Sequence, residues 1–85
     1  MQLSVELSFY PLKDSYKESI LLFIDQLKQE SNIEVISNRI STQIFGEYNE
    51  VMAALSRLMR DSFERFGTAV FVAKFINSDR QPKPC

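Results

Sequence analysis

The apolar residues of this chain recur at a spacing of two, then of three to four, then of two, and the cycle repeats; that order of periods restricts the folds open to it. Leu3, Val5, Leu7 and Phe9 alternate with Ser4, Glu6, Ser8 and Tyr10, so the first strand has one apolar and one polar face. After Pro11, Ser15 and Glu18 stand at capping-box spacing and predict a helix that starts near Ser15. Tyr16, Ile20, Phe23, Ile24 and Leu27 form its packing face, and its end is expected near Ser31 and Asn32. Residues 33–37 read as a short strand and Asn38-Arg39 as a turn, followed by an extended segment over 40–45 that Gly46 ends. Over 48–66 the helical period returns with Val51, Met52, Leu55, Leu58, Met59, Phe63 and Phe66, and Gly67 is placed to close that helix. The last strand, 68–76, is apolar on both sides: Ala69, Phe71, Ala73 and Phe75 on one, Val70, Val72 and Ile76 on the other.

The order β-α-β-β-α-β predicts a ferredoxin-like α+β fold, a four-stranded antiparallel sheet with two helices on one face. Residues 1–78 are expected to form one domain and 79–85, with Pro82 and Pro84, a loose tail. A length of 85 residues lies near the lower limit for a self-sufficient core, which favours association of chains. The two-sided apolar pattern of the last strand places part of the helix-free sheet face in a contact.

Composition excludes several function classes. Ten basic residues against eleven acidic ones supply no clustered positive charge for nucleic acid. The chain has no histidine, which rules out Ser-His and Cys-His catalysis and histidine metal ligation. Gly46 and Gly67 belong to no phosphate-binding loop, and Pro11-Leu12-Lys13 offers no arginine loop for an acylphosphatase-like hydrolase. The single cysteine, Cys85, forms no intramolecular disulfide, and a reducing, cytoplasmic setting is expected. No signal-peptide pattern opens the chain, and its longest apolar run, 20–24, is too short to span a bilayer. The paired carboxylates Glu47/Glu50 and Asp61/Glu64 read as helix-start charge and a solvated helix face, and the Phe and Met stripe of the second helix reads as core.

Candidate site residues therefore lie on the strands. Glu6, in the middle of a central strand, requires a partner, and Lys74 on the neighbouring last strand is the candidate; the pair is either a cross-strand ion pair or a device that orients a polar ligand. Ser8, Tyr10, Ser41, Thr42 and Gln43 both donate and accept hydrogen bonds without adding charge, which suits a heteroaromatic ring, and Tyr10, Phe45 or Tyr48 could stack on it. The alternative is that Ser41-Thr42-Gln43 is only the solvated start of a strand.

"SVELSFYPL" (4–12), "ISTQIFGE" (40–47) followed by "NEVMAAL" (49–55), and "AVFVAKF" (69–75) occur in an order that resembles the thiamine-binding YkoF-like family. The resemblance implies a ferredoxin-like fold, a homodimer or homotetramer, and non-catalytic binding of thiamine or its hydroxymethylpyrimidine portion, with no cofactor. It carries Ser41 and Thr42 over as polar anchors, with Tyr10 and Ser8 from the first-strand motif; Glu6 and Gln43 rest on the physical reasoning alone. Some members of that family hold two such domains in tandem whereas this chain holds one, so its assembly would join separate chains. An oligomeric interaction or regulatory module without a bound metabolite is the alternative.

Overall fold

Leu3, Val5, Leu7 and Phe9 are each no more than 8% exposed, and they put the helix-facing side of strand β1 (Gln2–Pro11) at the centre of the molecule. The structure is a computed structural model that describes residues 1–14, 16–38 and 41–82. Helix α1 (Tyr16–Lys28) follows, then strands β2 (Ile33–Ser37) and β3 (Thr42–Glu47), helix α2 (Tyr48–Phe66) and strand β4 (Ala69–Ile76). The sheet order is β2-β3-β1-β4 with every neighbouring pair antiparallel, the ferredoxin-like α+β arrangement. Phe23 and Leu27 of α1 and Val51, Ala54, Leu55 and Leu58 of α2 share one core with the odd-numbered side chains of β1, so both helices cover the same sheet face.

An aromatic cluster fills one end of this core. Phe9 and Phe71, register partners across β1 and β4, stack with ring centres 4.4 Å apart, and Phe23 and Phe63 close on Phe71 at 5.1 and 5.3 Å. Such contacts add to the burial of the rings themselves, at about 0.5–1.5 kcal/mol per pair.

Three boundaries differ from the sequence expectation. Helix α1 ends at Lys28, because the amides of Gln29 and Glu30 turn back onto the last helical carbonyls and bring buried Ile33 into the sheet. Strand β3 runs through Gly46 to Glu47 instead of stopping at the glycine. A Cβ at Gly46 would lie 3.2 Å from Val51 Cγ2 and 3.3 Å from the Asn32 carbonyl oxygen, so the glycine serves the close approach of α2 to the sheet. Glu47 then caps α2 by accepting from the Asn49 amide at 3.0 Å, and Gly67, at φ 82°, closes it by donating to the Phe63 carbonyl. Strand β4 begins at Ala69, one residue after the expected start. The expected cap at Ser15, the Arg39 half of the turn, the strand start at Ile40 and the tail's Cys85 fall outside the described residues.

Candidate ligand-binding site

Cross-strand register sets Glu6 opposite Gln43 on one side and Lys74 on the other, all three on the sheet face away from the helices. One carboxylate oxygen of Glu6 lies 3.7 Å from Lys74 Nζ, and the other accepts a hydrogen bond from Ser41 Oγ at 3.3 Å. The ion pair is solvent-accessible at both ends and adds little stability, about 0–1 kcal/mol. Its structural effect is to hold the carboxylate between the β2–β3 hairpin and β4.

Strand alternation separates the Ser41-Thr42-Gln43 row. Gln43 lies on the open face with Glu6, and Ser41, just before β3, reaches the same side through its bond to Glu6, whereas Thr42 turns toward the helices, is 7% exposed, and stands with its hydroxyl 3.4 Å from Ser37 Oγ. The hairpin above them is closed by two reciprocal bonds: Asn38 N–H donates to the Ser41 carbonyl and Ser41 N–H donates to Asn38 Oδ1 at 3.0 Å.

The pairing of β1 with β3 ends at Leu7 opposite Thr42, while β1 continues to Pro11. Among the described residues no strand pairs with Ser8, Phe9 and Tyr10 on that side. Beside this end of β1 lies a notch, a recess of about 420 Å³ between the end of β1, the start of α1 and the residues Asn38, Ser41 and Thr42. Ile20, Phe23 and Ile24 line its apolar part, and Ser8, Tyr10, Ser41 and Thr42 bring polar groups to it. Four of the six residues expected from the sequence thus meet in one place.

Glu6 and Gln43 lie elsewhere. They line a smaller recess of about 220 Å³ on the open face, with Phe45, Lys74 and Arg80. The Ser41–Glu6 hydrogen bond links the two recesses. Phe45, considered above for stacking, is 4% exposed and offers little ring surface, and Tyr48 lines neither recess.

Sequence reasoning passed over three contributors. Asn38 lines the larger recess although it read only as a turn residue, and Tyr16, assigned to the packing stripe of α1, is 46% exposed there. Ser4 read as one more polar residue of the open face. It is 3% exposed: its hydroxyl donates to the Ser78 carbonyl at 2.7 Å and accepts from the Arg80 amide at 2.8 Å. A serine among apolar neighbours whose hydroxyl is oriented by position carries no local signal of this kind. Among the described residues no group of three or more acidic or thiol side chains is placed to hold a metal, and no helix is long and apolar enough to cross a membrane.

The fold recurs in solved structures. A protein of Streptococcus pneumoniae, SP2199, matches with a TM-score of 0.84 at 18% identity, over 94% of this chain and 90% of that one. The Thermotoga maritima protein TM0486, provisionally assigned to thiamine biosynthesis or salvage, matches with 0.81 at 16% identity, over 92% and 85%. A Bacillus cereus domain of unknown function, DUF77, matches with 0.74 at 15% identity, over 99% and 83%. At these identities the likeness is one of fold. No protein-family model matches the sequence, and no curated protein matches it.

Proposed function

We propose that this protein binds thiamine or its hydroxymethylpyrimidine portion reversibly, in the notch beyond Leu7 and Thr42, without catalysing a reaction. The observation that carries the reading is the composition of that recess: an apolar wall of the half-buried Ile20 and Ile24, backed by core Phe23, beside the neutral hydrogen-bonding groups of Ser8, Ser41 and Thr42. Its volume, about 420 Å³, suits a small molecule, and apolar walls with a few placed polar groups are the usual composition of such sites. The proton of Ser41 is committed to Glu6, so its oxygen is left to accept from a ring amino group. Tyr10 and Tyr16, both exposed beside the recess, supply aromatic faces, and the Glu6 carboxylate behind Ser41 supplies negative charge near a cationic ring. The assignment of TM0486 to thiamine metabolism supports the ligand class.

In this reading Glu6 is a positioning residue, and Gln43 lies in the neighbouring recess away from the ring. The protein would work in the cytoplasm as a homodimer or homotetramer. One observation favours the second reading, an interaction or regulatory module: Val70, Val72 and Ile76 of the open face are 44–52% exposed, as in a surface that meets another chain.

Isothermal titration with thiamine, its phosphates and hydroxymethylpyrimidine tests the ligand. Saturable heat with at least one of them is expected. No saturable heat at millimolar ligand removes the thiamine reading and leaves the interaction module.

A further inference from the structure

We propose that the open-face recess beside Glu6 binds a small organic carboxylate, with Arg80 and Lys74 on its charged group and Ile76 under its apolar part. This recess is separate from the ligand notch, and the inference does not depend on what the notch holds.

Two cross-strand rows build its floor. Register sets Phe45 and Ile76 on either side of Ser4, and Gln43 and Lys74 on either side of Glu6, two residues further along the same sheet face. Ser4 has the smallest side chain of the six, so the centre of its row is a dip between exposed Ile76 and buried Phe45. The chain after β4 supplies the wall. The buried Ser4 hydroxyl donates to the Ser78 carbonyl at 2.7 Å and accepts from the Arg80 amide at 2.8 Å, which turns residues 78–80 back over the sheet. Arg80 Nε in turn donates to Ser78 Oγ at 2.9 Å, so the guanidinium is held at the rim with its two terminal nitrogens left over. A guanidinium held in this way loses little freedom when it takes a carboxylate through those nitrogens. The recess they enclose has a volume of about 220 Å³.

Charge sets the class of ligand. Lys74 and Arg80 stand against Glu6 alone, an excess of one positive charge in a chain whose net charge is -1. Lys74 is paired with Glu6, whereas Arg80 makes no ion pair among the described residues. The side-chain amide of half-buried Gln43 likewise has no hydrogen-bond partner among the described residues. One unpaired cation and one free amide match a ligand group with a single negative charge and two acceptor oxygens. A phosphate dianion would bring a second negative charge up to the Glu6 carboxylate, with no further cation to offset it.

Butyrate, butylammonium and inorganic phosphate are the probes, titrated into the full chain at constant ionic strength and followed by NMR shifts of amide and side-chain N–H groups. Butyrate is expected to give saturable shifts at Gln43, Lys74 and Arg80 with a Kd of about 1–10 mM, a range set by its few atoms. Phosphate is expected to bind about threefold more weakly or worse, and butylammonium to give no saturable shift at these residues. Arg80→Gln keeps the backbone amide that Ser4 holds and is expected to raise the butyrate Kd about fivefold or more; Arg80→Lys, which keeps the charge without the fork, is expected to fall between. Glu6→Gln removes the opposing charge and is expected to lower the Kd about twofold to fivefold. No saturable shift at about 50 mM butyrate overturns the inference. So does an unchanged Kd in Arg80→Gln, weaker binding in Glu6→Gln, or an equal response to butylammonium. Phosphate binding tighter than butyrate overturns it as well, by assigning the recess to phosphate groups.

Discussion

Ser41 Oγ donates to Glu6 Oε2 over 3.3 Å, a bond between the β2–β3 hairpin and the central strand that spans 35 residues of sequence. It fixes the direction of the Ser41 hydroxyl and joins the carboxylate of the open face to the polar side of the notch. Thr42, the next residue, faces the other way and shares its hydroxyl with Ser37. The two neighbours therefore differ in what their loss would do.

Ser41→Ala is expected to weaken thiamine or hydroxymethylpyrimidine binding about fivefold, one neutral hydrogen bond costing on the order of 1 kcal/mol, with the melting temperature nearly unchanged. Thr42→Ala is expected to weaken binding similarly and also to lower stability by about 1 kcal/mol, because Thr42 is 7% exposed and its removal leaves Ser37 without that contact. Titration calorimetry and thermal melts on the two variants measure both effects. Unchanged affinity in both would move the site out of the notch.

The fold was legible because each element carries its own period: alternation in β1 and β4, three-four spacing in α1 and α2. Gly46 was misread because a glycine after a polar-apolar run resembles a strand terminator, whereas its cause is the distant Val51 and Asn32 that press on it. The site was legible in residue types and only partly in geometry. Period two alone separates Thr42 from Ser41 and Gln43. The notch depends on the register of β3 against β1, which sets Thr42 opposite Leu7 and so brings Ser41 and Thr42 beside Ser8 and Tyr10, a long-range pairing that no local pattern encodes. Ser4 is the extreme case, since its partners Ser78 and Arg80 are more than 70 positions away.

That serine holds the chain after β4 against the open face. Ser4→Ala removes a donor to the Ser78 carbonyl and an acceptor for the Arg80 amide at a site 3% exposed, with an expected cost of about 1–2 kcal/mol. Native-state hydrogen exchange should show the Arg80 amide losing protection in the variant while amides of β1 and β3 keep theirs. If Arg80 exchanges as slowly as in the parent protein, the segment is held by other contacts.

Ser62 offers the opposite case. It lies on α2, 0% exposed, and its hydroxyl has no hydrogen-bond partner among the described residues. The hydroxyl has given up water without a replacement, which costs about 1–3 kcal/mol for an unpaired buried group, while its small size suits a tightly packed helix surface. Ser62→Ala retains the Cβ, removes the oxygen and has the higher helix propensity, so it is expected to stabilise the fold by about 0.5–1.5 kcal/mol. Ser62→Val adds a methyl group to a filled site and is expected to destabilise by about 1 kcal/mol or more. Urea denaturation of the two variants measures the difference directly. A loss of stability in Ser62→Ala would mean that the hydroxyl is satisfied in solution, by water or by a neighbouring carbonyl.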